Sequence, residues 1–333
     1  MTIRGDQTDE KKESTGGKPE RLSRWMLLLG LTLLGAVAAL FSASRRSQFD
    51  RRWEDLDDIE PFEPEPPARP EFPQPPSTPR EIRGPAGKLF VDDGGEGDGL
   101  AVLFIHGLGG SSDEWVYQLD HLRRERRALA LDLRGHGRSD DSKGGGYGIP
   151  DYAVDVVTVA DELGLDRFVL AGHSLGALVA LDVAGRFPER VAGLLLVDPN
   201  GDATELPRQE LETFLEAVDK DPMGEMRWYF KQLLVGSEPE VADRVLEALE
   251  QVDPRALHPS LESTFSQSPL PNLDRYPGPV VSVVSPLNDL PHSLHNLRDD
   301  LDTRLILGTS HWLMMDRPDA LQEVLDELLA TCS

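Results

Sequence analysis

Apolar runs of three to seven residues recur from about residue 87 onward, separated by stretches whose apolar positions repeat at helical spacing. The runs at 89–91, 101–105, 127–131, 168–170, 191–197, 280–284 and 304–307 read as strands. Helical patterns fill 151–163 and 318–329, and a helix-forming run at 177–181 follows one strand almost directly. The strands are apolar throughout rather than alternating, which is the pattern of strands buried on both faces. Alternation with helices then predicts an α/β domain built on a mostly parallel sheet with helices on both sides. About 245 residues suffice for one such domain, expected over 86–333.

Two regions break the rhythm. Between Asp198 and Leu273 the strands stop, and amphipathic helical patterns at 211–218, 226–234 and 241–252 form an insertion. At the other end, a polar tail at 1–24 precedes an uncharged run from Trp25 to Phe41. Extended through Ser42-Ala43-Ser44, the run reaches roughly 30 Å as a helix, enough to cross a bilayer core. Arg24 and Arg45-Arg46 bracket it, and Trp25 stands at an interfacial position. A cleaved signal peptide is the competing reading, with Ser42-Ala43-Ser44 as its site, but the long charged leader favours an uncleaved anchor at 25–44. A start-anchor of this kind predicts a single-pass membrane protein with an extracytoplasmic domain. The segment 45–85 reads as a linker, because the ten prolines in 61–85 fix φ and remove backbone donors. No repeats are evident.

Composition narrows the partners. The formal net charge is −25, with seven lysines against 27 arginines, and such a surface repels phosphate backbones. A nucleic-acid partner is therefore not expected. The single cysteine, Cys332, excludes an internal disulfide.

The chemistry concentrates in three glycine-rich turns. Gly172-His173-Ser174-Leu175-Gly176 sets a serine between two glycines at G-x-S-x-G spacing, between an apolar strand and a helix. A serine on such a turn adopts a strained backbone that pushes its hydroxyl out of the sheet, and only small neighbours leave room for it. His106-Gly107-Leu108-Gly109-Gly110 follows the strand at 101–105 and can aim the Leu108 N–H at a developing oxyanion, with the Leu175 N–H as the second donor. Gly308-Thr309-Ser310-His311-Trp312 follows the last strand, where a histidine can reach over the sheet edge toward Ser174 as the base. No clustered ligands call for a metal, and no cofactor is implied.

Together these motifs resemble the α/β-hydrolase superfamily over 86–333. Residues 131–140, Leu-Asp-Leu-Arg-Gly-His-Gly-Arg-Ser-Asp, resemble that family's turn after its fourth strand, and 308–318 resembles its histidine loop. The resemblance implies the α/β-hydrolase fold, a helical cap over about 200–273, and a Ser-His-Asp triad in that family's Ser…Asp…His chain order. It places the acid shortly after the strand at 280–284. The expected slot holds Asn288 with Asp289 next to it, so Asp289 is the expected acid; Asp198, after the strand at 191–197, is the other candidate. A serine at the elbow, where related dehalogenases and epoxide hydrolases carry aspartate, implies acyl transfer. The expectation is a membrane-tethered serine hydrolase cleaving a small-molecule ester, with catalytic residues Ser174, Asp289 and His311. C–C bond, lactone or thioester cleavage on the same triad are the alternatives, and a non-catalytic binding module that kept the fold is a more distant one.

Overall fold

The computed structural model describes residues 72–332. The tail at 1–24, the apolar span at 25–44 and most of the linker at 45–85 lie outside the described residues. Among the described residues no helix is long and apolar enough to cross a membrane.

Among the described residues eight strands form one sheet: β1 (Arg80–Arg83), β2 (Lys88–Gly94), β3 (Val102–Ile105), β4 (Ala128–Leu131), β5 (Phe168–His173), β6 (Val191–Val197), β7 (Val280–Val284) and β8 (Asp302–Leu305). Their spatial order is β1-β2-β4-β3-β5-β6-β7-β8. β1 and β2 form an antiparallel hairpin, β2 meets β4 antiparallel, and the pairs from β4 through β8 are parallel. The mostly parallel sheet expected from the all-apolar strands is present, and every residue of β3 to β6 is buried.

One strand was not legible. β1 is the charged tetrapeptide Arg80-Glu81-Ile82-Arg83, largely exposed at the sheet edge. It has no apolar run to betray it, because an edge strand beyond the helix layers needs only backbone pairing. The sheet therefore begins inside the segment assigned to the linker. The residues before it are docked as well: Arg123, fully enclosed at its guanidinium, donates to the Pro76 and Asp92 carbonyls at 3.0 and 2.8 Å and to that of Ala128 at 3.1 Å.

Helices α1 (Val116–Leu122), α2 (Ile149–Glu162) and α3 (Leu175–Arg186) connect the four parallel strands β3, β4, β5 and β6. α2 and α3 pack on each other and on the sheet through Val156, Val159, Ala160, Val179, Leu181 and Val183. Between β6 and β7 the insertion folds as four helices, α4 (Arg208–Lys220), α5 (Pro222–Leu233), α6 (Pro239–Leu249) and α7 (Pro254–Ser266), before α8 (Leu270–Arg275) returns to α3. α6 shows why they form: Val241, Val245 and Leu249 recur every four residues and are buried, while Asp243, Arg244 and Glu247 lie between them on the other faces. Short helices α9 (Leu294–Leu297) and α10 (Leu313–Asp316) flank β8, and α11 (Pro318–Thr331) closes the chain with Leu321, Leu325 and Leu328 buried.

This topology fixes where a site can form. β3 has β4 on one side and β5 on the other, so the connections leaving β3 and β5 diverge and open a crevice at the carboxyl ends of the strands. The turn at 106–110 and the elbow at 172–176 border that crevice.

Candidate active site

The elbow is built by close approach. Ser174 stands at φ 51°, ψ −115°, between β5 and α3, a strained conformation for a side chain with a Cβ. A Cβ at Gly172 would lie 2.2 Å from the Gly176 carbonyl oxygen, and one at Gly176 would lie 2.4 Å from that of His106. Both glycines are thus required by backbone crossing backbone, as the sequence pattern implied. Gly107 is equally close: a Cβ there would sit 2.8 Å from His173 Nδ1 and 3.3 Å from the Ser174 Cβ. The turn at 106–110 therefore lies against Ser174, with Leu108 next to that close approach. Leu175 opens α3, where the first amides have no carbonyl four residues back to bond.

The histidine loop approaches from the opposite side. The His311 carbonyl accepts from His173 Nε2 at 3.0 Å, and the two imidazole rings are 4.7 Å apart. The loop is closed by Asp316, whose carboxylate accepts from the Ser310 N–H at 2.8 Å and Ser310 Oγ at 2.6 Å. His311 Nδ1 bonds Asp198 Oδ2 at 2.6 Å. Asp198 is fully buried and also takes the Ser285 N–H at 2.7 Å on Oδ1 and Ser285 Oγ at 2.8 Å on Oδ2. Three donors on one carboxylate hold it as an acceptor, which places the His311 proton on Nδ1 and leaves Nε2 free to act as a base.

The expectation for Asp289 is corrected here. Its side chain is 58% exposed and pairs with His295 Nε2 at 3.3 Å and Asn296 Nδ2 at 3.0 Å, not with His311. The cause is the register of adjacent strands: Val197 on β6 pairs with Val283 on β7, so Asp198 and the residues after Val284 leave the sheet side by side. The 3-10 turn Pro286–Asn288 then carries Asp289 outward, while Asn288 Nδ2 donates to the Pro199 carbonyl at 2.8 Å. Ser285 and Asn288 thus brace the loop that carries Asp198.

Two residues near the reacting groups had no motif to announce them. Asn200 Oδ1 accepts the Ser174 hydroxyl at 3.2 Å, and its only sequence signal is its place two residues past Asp198. Glu114, buried one turn beyond the glycine turn, contacts both His173 and Trp312. The cap reaches the same crevice: a Cβ at Gly109 would meet Phe230 and Leu249 at 2.9 Å, the Phe230 and Trp312 rings are 5.2 Å apart, and the His311 N–H donates to the Leu233 carbonyl at 3.1 Å. Burial pushes the Tyr229 hydroxyl beside Phe230 up to about 12, so it stays protonated. A cleft of about 400 Å³ in the cap is walled by Leu211, Leu215 and Phe265 together with the charged Arg208, Glu212 and Glu262. Among the described residues no group of His, Cys, Asp and Glu side chains is arranged to hold a metal ion.

The model of the alpha/beta hydrolase family matches residues 102–324, and the chain belongs to that family of hydrolases. Over 130 residues it is 37% identical to the dihydrolipoyllysine-residue acetyltransferase component of the acetoin cleaving system of Pseudomonas putida, a match covering 39% of this chain and 35% of that protein. The chain thus spans little more than a third of the length of that curated relative. Among solved structures it is similar to a thermophilic esterase from Thermogutta terrifontis, with a TM-score of 0.67 and 22% identity, covering 77% of this chain and 100% of that one. It is similar also to an enol-lactonase from Burkholderia xenovorans LB400, with a TM-score of 0.67 and 20% identity, covering 75% and 100%. At these identities the likeness is one of fold.

Proposed function

We propose that this chain is a serine hydrolase that cleaves a carboxylic ester through an acyl-enzyme, with Ser174 as nucleophile, His311 as base and Asp198 as the acid that orients it. The observation that carries the reading is the 2.6 Å bond from His311 Nδ1 to the buried Asp198, beside a serine held at positive φ. His311 Nε2 takes the Ser174 proton as Oγ attacks the carbonyl carbon. Negative charge develops on the carbonyl oxygen and is met by the N–H groups of Leu108 and Leu175, a contribution of several kcal/mol in sites of this type. The same imidazole then gives its proton to the leaving alcohol, and water repeats the cycle to release the acid. In the resting state the hydroxyl points to Asn200, so attack begins with a turn of Ser174 toward His311.

A fluorophosphonate probe tests the reading. Labelling of the wild-type chain that vanishes in Ser174→Ala supports it, and a folded protein that does not label sinks it. p-Nitrophenyl esters from acetate to octanoate, run beside a lactone, separate ester from lactone preference.

The membrane tether is a second part of the proposal, supported by the uncharged run at 25–41 and its arginine flanks. Retention in the membrane fraction after alkaline carbonate washing, lost on deletion of 25–44, is the expected outcome. Protease accessibility of the hydrolase domain in intact cells then reports whether it is extracytoplasmic.

A further inference from the structure

Glu114 lies between the three segments that the proposed reaction uses. Its Oε2 accepts the Gly107 N–H at 3.2 Å and faces His173 Nδ1 at 3.0 Å, while Oε1 accepts Trp312 Nε1–H at 3.2 Å. Gly107 begins the oxyanion turn, His173 precedes Ser174, and Trp312 follows His311. His173 extends the chain, since its Nε2 faces the His311 carbonyl at 3.0 Å. A carbonyl can only accept, so Nε2 carries a proton, and a second proton lies between Nδ1 and Oε2. Glu114 and His173 are 5% and 1% exposed.

A carboxylate is costly to bury among apolar side chains, and Trp115 beside it in sequence is fully buried. Burial pushes the Glu114 carboxyl up, but His173, through charge and hydrogen bond, together with His106 and the Gly107 N–H, brings it below the ordinary carboxylate value. Packing alone would be served by an apolar residue in a core of this kind. What a carboxylate adds is simultaneous acceptance from three N–H groups on three separate segments of the chain.

We propose that Glu114 is a positioning residue for the hydrolysis, fixing the Leu108 donor and the His311 base relative to Ser174 by joining the oxyanion turn, the elbow and the histidine loop through one carboxylate and His173. The proposal rests on the serine-hydrolase reading above. Misplacement of a donor or base by a fraction of an ångström lowers turnover without changing how substrate is held by the cap. The expected signature is therefore a fall in kcat at nearly constant KM.

The experiment uses the full-length chain, p-nitrophenyl acetate kinetics and the fluorophosphonate labelling rate. Glu114→Ala is expected to lose about 100-fold in kcat and in labelling rate, with KM within threefold of wild type. Val156→Ala, a core truncation on α2, serves as the stability control: at a comparable loss of melting temperature it keeps kcat within threefold. If Glu114→Ala does not fold, Glu114→Gln carries the test, since an amide cannot accept on both sides; about a tenfold loss of kcat at constant KM is expected. A kcat within threefold of wild type in the folded variant, or a loss appearing only in KM, overturns the role of Glu114. Wild-type protein that does not label at all would instead remove the serine reading and this proposal with it.

Discussion

Ser174 and Asp198 leave the sheet side by side, and both do so at positive φ. Their predecessors, His173 and Val197, are register partners on β5 and β6, and Ser174 and Asp198 stand at φ 51° and 45°. They are the two non-glycine residues with positive φ among the described residues. The Ser174 N–H donates to the Val197 carbonyl at 3.0 Å, which joins the two turns directly. Strain of this kind persists only where the surroundings over-determine it, and here it turns two side chains off the ends of adjacent strands, Asp198 onto His311 and Ser174 onto Asn200.

The first prediction separates the two candidate acids. Asp198→Asn keeps the volume but removes the charge and favours the wrong His311 tautomer, so kcat on p-nitrophenyl acetate should fall by about 10³- to 10⁴-fold. Asp289→Ala, at an exposed ion pair, should stay within threefold of wild type. Activity lost in the second variant and kept in the first would return Asp289 to the site.

The contrast between these aspartates shows what the sequence could carry. Ser174 and His311 were readable because their glycine-rich turns follow apolar strands, and backbone crossing makes small neighbours obligatory at Gly172 and Gly176. The acid needs no such neighbours. Candidates stand at the ends of both β6 and β7, which leave the sheet side by side, and only the register of Val197 with Val283 reveals that Ser285 is turned to serve Asp198. Glu114 was invisible for a related reason: its partners lie up to 198 residues away from it in the chain. The sheet itself was legible where strands are buried and lost where β1 is charged and exposed.

Ser285 gives a graded test of how the acid is held. Ser285→Ala removes the Oγ bond to Asp198 Oδ2 but keeps the backbone bond to Oδ1. A stability loss of about 1–2 kcal/mol by urea unfolding is expected, with a kcat decrease of three- to tenfold. A variant indistinguishable from wild type in both would mean that the backbone N–H alone orients the carboxylate.

Gly107→Ala probes the oxyanion turn. The added methyl would meet His173 Nδ1 at 2.8 Å and the Ser174 Cβ at 3.3 Å, and relief requires the turn to move outward, taking the Leu108 N–H with it. Loss of one oxyanion donor costs about 10²- to 10³-fold in kcat. The far-ultraviolet circular dichroism should be unchanged. Wild-type turnover in this variant would show that the 106–110 turn is not part of the reacting site.

His136 predicts an acid limit to stability. It is fully buried with Nδ1 on the Arg134 carbonyl at 3.0 Å, and burial, with the nearby His106, pulls it from 6.5 down to about 3. The unfolded chain binds a proton here below about pH 6.5 and the folded chain does not. The stabilisation is therefore present above pH 6.5 and is lost as pH falls through the interval down to about 3, by about 1.4 kcal/mol per pH unit. His136→Asn should show a correspondingly shallower fall in urea-unfolding free energy between pH 6 and pH 4. An equal slope in both proteins would place the acid sensitivity elsewhere.

Phe72 tests whether the end of the proline-rich segment is part of the folded unit. Its ring packs 5.6 Å from that of Tyr117 on α1, and the Arg244 guanidinium of α6 lies 4.5 Å from its centroid. One residue thus touches both the core layer and a cap helix, while Arg244 also approaches Asp113 at 3.8 Å, next to Glu114. The two aromatic contacts together are worth about 1–2 kcal/mol. Phe72→Ala should lower unfolding free energy by that amount and leave kcat unchanged, because no catalytic group contacts the ring. It should also speed proteolytic cutting around 235–240, between α5 and α6, since α6 loses a tie to the core. Unchanged stability and cutting would mean that residues 72–79 act as a spacer up to the first strand, as their composition alone suggested.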